Sequence, residues 1–271
     1  MATVVRLRTS GDLELDNLCI EQAATKPHAT SVGDFKATTF SEVAVADALA
    51  HMYPLHGDAK DYASHVDATV YGATAVIGLN DNLCYNFDGV NDYIKITDNL
   101  TEGLTALSTA LWIKPSAVGT QYRCALHKST DSSIGSSEYW AGISQGGFLT
   151  STIGAQSGVG WAAGETSITA VAGTWYHLVA TWNGATVKVY VNGAEAKSYA
   201  LATKASLAAP TRFGSSADGT AYQYGGLIQD VRLYSKALSA AEVRILYDLT
   251  TISQMKLTSS TVFLRGEVKE V

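Results

Sequence analysis

Between Trp175 and Trp182 the chain alternates with a period of two. Trp175, His177, Val179 and Thr181 interleave with Tyr176, Leu178, Ala180 and Trp182, the pattern of a β-strand. Asn183-Gly184 closes this run, and Asn192-Gly193 closes the next, Thr186–Asn192. Both dipeptides tolerate positive φ at two successive positions, so each predicts a hairpin turn. Similar short runs recur at Asn82–Phe87, Tyr93–Ile96, Ser108–Lys114, Arg123–Lys128, Tyr139–Ser144, Arg212–Gly214 and Gly226–Tyr234. Polar loops lie between them, the clearest at 129–137 and 214–220. Regularly spaced short strands with turn signals predict an antiparallel sandwich. One helix is marked. Ser239 and Glu242 form a capping box, and Val243, Leu246, Tyr247 and Leu249 give the helical face that follows.

Outside 49–250 the pattern changes. Residues 1–48 hold strand-like runs at 2–8, 13–20 and Phe35–Val45 and read as an N-terminal extension that anchors or assembles. Residues 251–271 carry a further run, Thr261–Arg265, and read as a C-terminal tail that pairs with the extension.

Composition narrows the function. Of 271 residues only 16% are charged, and the net charge is −6 with no basic stripe, which argues against nucleic acid as a partner. No stretch approaches about 18 consecutive apolar residues, so no membrane span is expected. Cys19, Cys84 and Cys124 are odd in number and widely spaced, the pattern of free thiols rather than of a disulfide framework or zinc site. The first residues, Met1 to Arg8, lack the apolar core of a secretory signal. This predicts a protein made in a cytoplasm that reaches a virion or cell surface by another route.

Six segments, in order, resemble the bacterial laminin G-like domains of the concanavalin A-like lectin/glucanase superfamily. They are His51–Tyr62, Tyr85–Ile94, Thr109–Pro115, Thr174–Trp182, Val189–Gly193 and Gly226–Ser239, with the helix directly after the last. The resemblance covers residues 49–250 and implies an all-β, two-sheet jelly roll whose role is binding, often with a structural calcium. It points for the metal to Asp61 and to an acidic pair that in this chain is Gln229-Asp230; Asp58 and Asp67 are further carboxylates of the first segment. Calcium takes six to eight oxygens gathered from such loops. The chain departs from the family at Gln229 and at Ala63–Asp67, where the family is richer in glycine and asparagine.

Glycosidases of this fold carry Glu-x-Asp-x-x-Glu on one strand. The nearest run here, Glu14 to Cys19, ends on a cysteine and lies outside the resemblance, so no enzyme is expected. No HxH or HExxH motif is present. His177, inside a strand, reads as a sheet-surface residue. Aromatic rings in Gly/Ser-rich surroundings are the expected sugar platform: Trp140, Trp161, Tyr222 and Tyr224, with Trp161 and the two tyrosines expected to be exposed. The expectation is thus a non-catalytic module, a virion or surface adhesion protein that displays a binding face to a cell-surface glycan or protein. Its extension would dock on other virion or surface proteins. A secreted or surface bacterial lectin and a decoration protein without ligand stand as alternatives, with a glycoside hydrolase as the distant third; a homo-oligomer is a candidate assembly.

Overall fold

The structure, a computed structural model, describes residues 48–252 apart from 98, 131–136, 155–160 and 217–220, together with three strands of the extension. For those strands, and for residues 161, 162 and 250–252, it describes the backbone alone. The strands are β1 (Thr3–Leu7), β2 (Leu18–Gln22) and β3 (Thr30–Ser31), paired antiparallel in that order. The run at Phe35–Val45, residues Glu14 to Asn17 and the tail from 253 lie outside the described residues.

From residue 49 the chain forms two antiparallel sheets. The first holds β13 (Glu165–Thr169), β12 (Phe148–Ile153), β11 (Tyr139–Ile143), β10 (Arg123–Lys128), β17 (Thr211–Phe213), β8 (Tyr93–Ile96) and β5 (Thr69–Tyr71), in that order. The second runs β16 (Ala194–Ala200), β15 (Thr186–Val191), β14 (Tyr176–Trp182), β9 (Leu107–Pro115), β18 (Gly225–Tyr234), β7 (Leu83–Asp88) and β6 (Thr74–Ile77). Its eighth strand, β4 (Leu49–Tyr53), pairs with the second half of β18, while β7 pairs with the first half. A bulge at 229–231 separates the halves, with Asp230 at φ 53°. The single core between the sheets is lined by alternate residues such as Leu111, Ile113, Leu178, Ala180, Ile94, Tyr139, Ile143 and Phe213. Two-sheet burial of alternating rows is what the period of two demands.

The two asparagine–glycine turns differ. Asn192 and Gly193 both have positive φ, 51° and 78°, and join β15 to β16 as a two-residue turn. At Asn183-Gly184 only glycine is left-handed, at 88°. The connection there spans three residues because the Asn183 side-chain oxygen accepts the N–H groups of Ala185 and Thr186, at 3.0 and 2.8 Å.

Helix α1 (Ala240–Ile252) follows the expected box. Ser239 Oγ accepts the Glu242 N–H at 3.3 Å, and the Glu242 carboxylate accepts the Ser239 N–H at 2.8 Å. The helix lies on the outer face of the eight-stranded sheet, where Leu238, Val243 and Leu246 pack on Ala110, Val179, Tyr190 and Tyr234. His177 belongs to this covered face. It is 3% exposed and stacks on Trp112 at 4.9 Å, with Tyr247 beyond. It points outward from the sheet but is no surface residue, because α1 closes over it. Burial pushes its imidazole down to about 4; Asp230 opposes this and Arg232 adds to it.

Candidate ligand-binding face

Among the described residues no α-helix packs on the outer face of the seven-stranded sheet. Ile94 and Phe213 point into the core, so their neighbours Tyr93, Lys95 and Arg212 point out. Register then builds one row across six strands: Thr69, Lys95, Arg212, His127, Trp140 and Thr152 are successive cross-strand partners. A second pair, Tyr71 and Tyr93, lies opposite on β5 and β8. Their rings stack at 4.5 Å and 19°, and the Arg212 guanidinium sits 5.4 Å from the centre of the Tyr93 ring. Tyr71 is 42% exposed, and Tyr93 and Lys95 are half-buried. An apolar ring face is thus held rigid from behind by a second ring and a cation at the β5 edge of the sheet.

Towards the other edge the same face is covered. Trp140 is 1% exposed, and its indole N–H points at Cys124 Sγ, 2.5 Å away. Tyr122 stands edge-on to it at 6.4 Å, and Tyr222 edge-on to Tyr122 at 5.6 Å. The Tyr222 carbonyl accepts the Cys124 N–H at 2.9 Å, so a left-handed residue at φ 53° is tied to the sheet. Tyr222 is half-buried rather than exposed, and Trp140 and Tyr224, contrary to expectation, are buried and offer no ring to a ligand. Tyr224 is fully buried, edge-on to Phe87 at 6.4 Å, with its hydroxyl on the Leu227 carbonyl. The Trp161 side chain lies outside the described residues; its backbone opens a short 3-10 turn, Trp161–Gly164. Tyr71 and Tyr93 were missed because each sits alone in a polar stretch and only the β5–β8 pairing joins them. Both Cys84 and Cys124 are buried and free, and burial pushes the Cys84 thiol up to about 11 and the Cys124 thiol higher still.

The carboxylates proposed for calcium are otherwise engaged. Asp61 is 1% exposed and anchors the turn after β4. Its Oδ1 accepts the N–H groups of Met52, Ala63 and Ser64 at 2.9, 2.9 and 3.3 Å. Its Oδ2 meets the Ser64 hydroxyl at 2.5 Å, His51 Nδ1 at 2.8 Å and the Val66 N–H at 3.4 Å. Burial alone would raise this carboxyl, but those donors outweigh it and hold it well below the usual carboxylate range. Asp67 accepts the Asp61 N–H at 3.0 Å, and Asp58 receives the Tyr62 hydroxyl at 3.1 Å. Asp230 is forked onto Arg232 at 2.7 and 3.0 Å. Gln229 is buried and pairs both ways with Leu79, accepting its N–H at 2.8 Å and donating to its carbonyl at 3.3 Å. A carboxylate there could accept but not donate. Asp61 and Asp230 therefore do not fit a calcium ion, because their lone pairs face N–H and O–H donors; Asp67 is exposed with one oxygen on the Asp61 N–H, and among the described residues no three acidic, histidine or cysteine side chains are grouped to hold a metal.

Asp61, His51 and Ser64 also fail as a nucleophilic triad. Ser64 Oγ, 2.7 Å from His51, approaches the same Nδ1 that Asp61 holds. A general base needs its second ring nitrogen on the hydroxyl and the first on the carboxylate.

A family model described as the concanavalin A-like lectin/glucanases superfamily matches residues 88–244. Domain 4 of AbnA, an extracellular arabinanase from Geobacillus stearothermophilus, solved with arabinotriose, is 21% identical and superposes with a TM-score of 0.56, covering 73% of this chain and 98% of that one. The binding domain of Paraclostridial Mosquitocidal Protein 1 is 17% identical with a TM-score of 0.60, covering 76% and 53%. The binding domain of botulinum neurotoxin serotype D gives 17% and 0.57, covering 77% and 52%. At such identities these likenesses concern the fold alone. In sequence, adhesion G-protein coupled receptor V1 of Danio rerio is 29% identical over 112 residues, 40% of this chain and 2% of that protein's length.

Proposed function

This chain belongs to the concanavalin A-like lectin/glucanases superfamily, and from that premise we propose that it is a non-catalytic adhesion module that binds a surface saccharide on the open face of its seven-stranded sheet. The observation that carries the reading is the Tyr71–Tyr93 stack with Arg212 behind it. A sugar ring offers C–H groups on one face, and an exposed tyrosine ring is the natural partner for that face. Stacking from behind removes the rotamer entropy that a ligand would otherwise have to freeze. Lys95 and Thr69, next in the row, supply hydrogen-bond donors and an acceptor at the rim. A domain of the same fold was solved holding arabinotriose, so the scaffold accommodates saccharides. The match to part of an adhesion receptor supports a surface setting.

A glycan array screened with the full chain tests this, followed by titration calorimetry of the best saccharide with wild type and Tyr71→Ala. Tyr71→Ala should weaken binding at least about tenfold, the loss of one ring contact. Melting should stay within about 0.5 kcal/mol of wild type, as for an exposed side chain. A saccharide bound equally by Tyr71→Ala and Tyr93→Ala would exclude this face. An array with no binder would exclude the saccharide.

A further inference from the structure

At one end of the sandwich, away from Tyr71, four polar side chains are packed together. Lys128 ends β10, Glu138 precedes β11, Asn99 lies in the loop after β8, and Lys204 in the loop between β16 and β17. The side chains of Lys128 and Glu138 are fully buried and that of Lys204 nearly so. Lys128 Nζ lies 3.0 Å from Glu138 Oε2, 2.8 Å from Thr101 Oγ1 and 2.5 Å from Asn99 Oδ1. Lys204 Nζ lies 2.7 Å from Glu138 Oε1 and donates to the carbonyls of Thr101 and Ala205. Thr101 Oγ1 and the Leu207 N–H also donate to Glu138. Two lysines therefore share one carboxylate without solvent. Burying an uncompensated ammonium is costly, and the usual escape is to shed its proton. Lys128, the more deeply buried, is the one placed to do so: burial lowers its pKa most, Lys204 lowers it further, and Glu138 opposes both.

We propose that Lys128 and Asn99 join in an isopeptide bond that the folded chain forms unaided. A neutral Lys128 amine is held against the carboxamide of Asn99, the arrangement in which proximity replaces a second reactant. Glu138 takes the ammonium proton at Oε2. Nζ attacks Cγ of Asn99, the Nζ–Cγ bond forms and the Cγ–Nδ2 bond breaks, and protons from Nζ and Glu138 pass to the departing nitrogen. The sum is Lys–NH3+ plus Asn–CONH2 giving a secondary amide plus NH4+, with no oxidant or co-reactant. The leaving nitrogen has a way out, since Asn99 Nδ2 points to the exposed Glu102 carboxylate at 2.9 Å. β17 lies between β8 and β10 in the sheet, so the bond would staple the two strands that flank it. A covalent tie across a sheet suits a module that carries load at a surface.

Intact-mass spectrometry of the full chain is the test, followed by peptide mapping. The expected mass is that of the sequence less one ammonia, and the map should yield one branched peptide joining the segments around Asn99 and Lys128. Lys128→Met, and Asn99→Ala at a half-buried loop position, should each restore the full mass. Circular dichroism of Asn99→Ala checks that the domain still folds. A full mass in the wild type overturns the proposal and leaves an ionic cluster. So does ammonia loss at Asn183 or Asn192 as a succinimide, which hydroxylamine opens and which leaves the Asn99 and Lys128 peptides separate.

Discussion

The sandwich has two outer faces, and they are built differently. On the eight-stranded sheet the outward row includes Ala110, Trp112, His177, Val179, Tyr190 and Tyr234, all buried, because Leu238 and, from α1, Val243, Leu246 and Tyr247 lie over it. On the seven-stranded sheet the outward row is polar and aromatic, closed by loops at the β11 side and open at β5, where Tyr71 meets solvent. An apolar outward row demands a cover, and the chain supplies one immediately after β18. On the seven-stranded sheet Arg212, His127, Trp140 and Thr152 are buried as well, and only the β5 end, with Thr69, Tyr71, Tyr93 and Lys95, keeps contact with solvent. The same fold thus carries a face sealed by its helix and one open at the β5 edge, distinguished by what lies on alternate residues of the strands.

The comparison breaks most readily at the cover. Val243, on the sheet-facing side of α1, is fully buried. Val243→Asp would place an unpaired carboxylate there and should cost on the order of 3–5 kcal/mol. In a thermal melt that should lower Tm by roughly 10 °C for a domain of this size. An unchanged Tm would mean that the helix is not what seals the face, and the contrast with the open sheet would fall.

How much of this contrast could be read from the sequence depended on range. The hairpin at 176–191 was legible because β14 and β15 each alternate and end in turn residues, and α1 because its capping box is local. Of the strands that escaped notice, β4, β5, β6, β13 and β16 are short or lie at sheet edges, with polar and small residues as in Ala194–Ala200, while β12 is an inner strand whose centre, Thr150-Ser151-Thr152, is buried but polar. Neither face of an edge strand need be apolar, so its pattern is weak. The site was less legible still. Trp140 and Tyr71 are both aromatic residues near glycine, and nothing local tells the one under Tyr122 from the one in solvent. Tyr71, Tyr93 and Arg212 come from three strands joined only by register. Gln229 was conspicuous in sequence as an amide at an acidic position, but its partner Leu79 is 150 residues away.

A smaller effect sharpens the comparison by chemistry. His177 titrates near 4 in the folded chain against 6.5 for a free imidazole. Its neighbours from the packed elements are Trp112, Tyr247 of α1, and the charges of Asp230 and Arg232. Because the folded value lies below the unfolded one, the unfolded chain binds more protons between them. Stability is therefore full above about pH 6.5 and falls as pH drops towards 4, by about 3 kcal/mol. Denaturant melts of wild type and His177→Phe across this window should diverge, with the variant flat where wild type declines. Asp61 is also depressed, so its contribution is lost at still lower pH and leaves the upper window to His177. Parallel curves for the two proteins would mean that the imidazole is reached by water and that the face is not sealed.

The smallest expected effect concerns the turn after β4, which neither face accounts for. If it held calcium, a third surface of this domain would be functional. A bound ion stabilises the folded state by RT ln(1 + [L]/Kd), about 2.7 kcal/mol at a hundredfold excess over Kd. The Asp61 oxygens already accept five N–H and O–H groups and meet His51, and Asp230 is spent on Arg232. A cation at Asp61 would have to displace donors that the loop needs to hold its shape. Melts in millimolar calcium and in chelator should therefore superimpose. A rise in Tm with calcium that Asp61→Asn abolishes would reverse this and make the turn a metal-supported rim. The absence of a shift would leave the Asp61 network as an internal brace of the turn after β4.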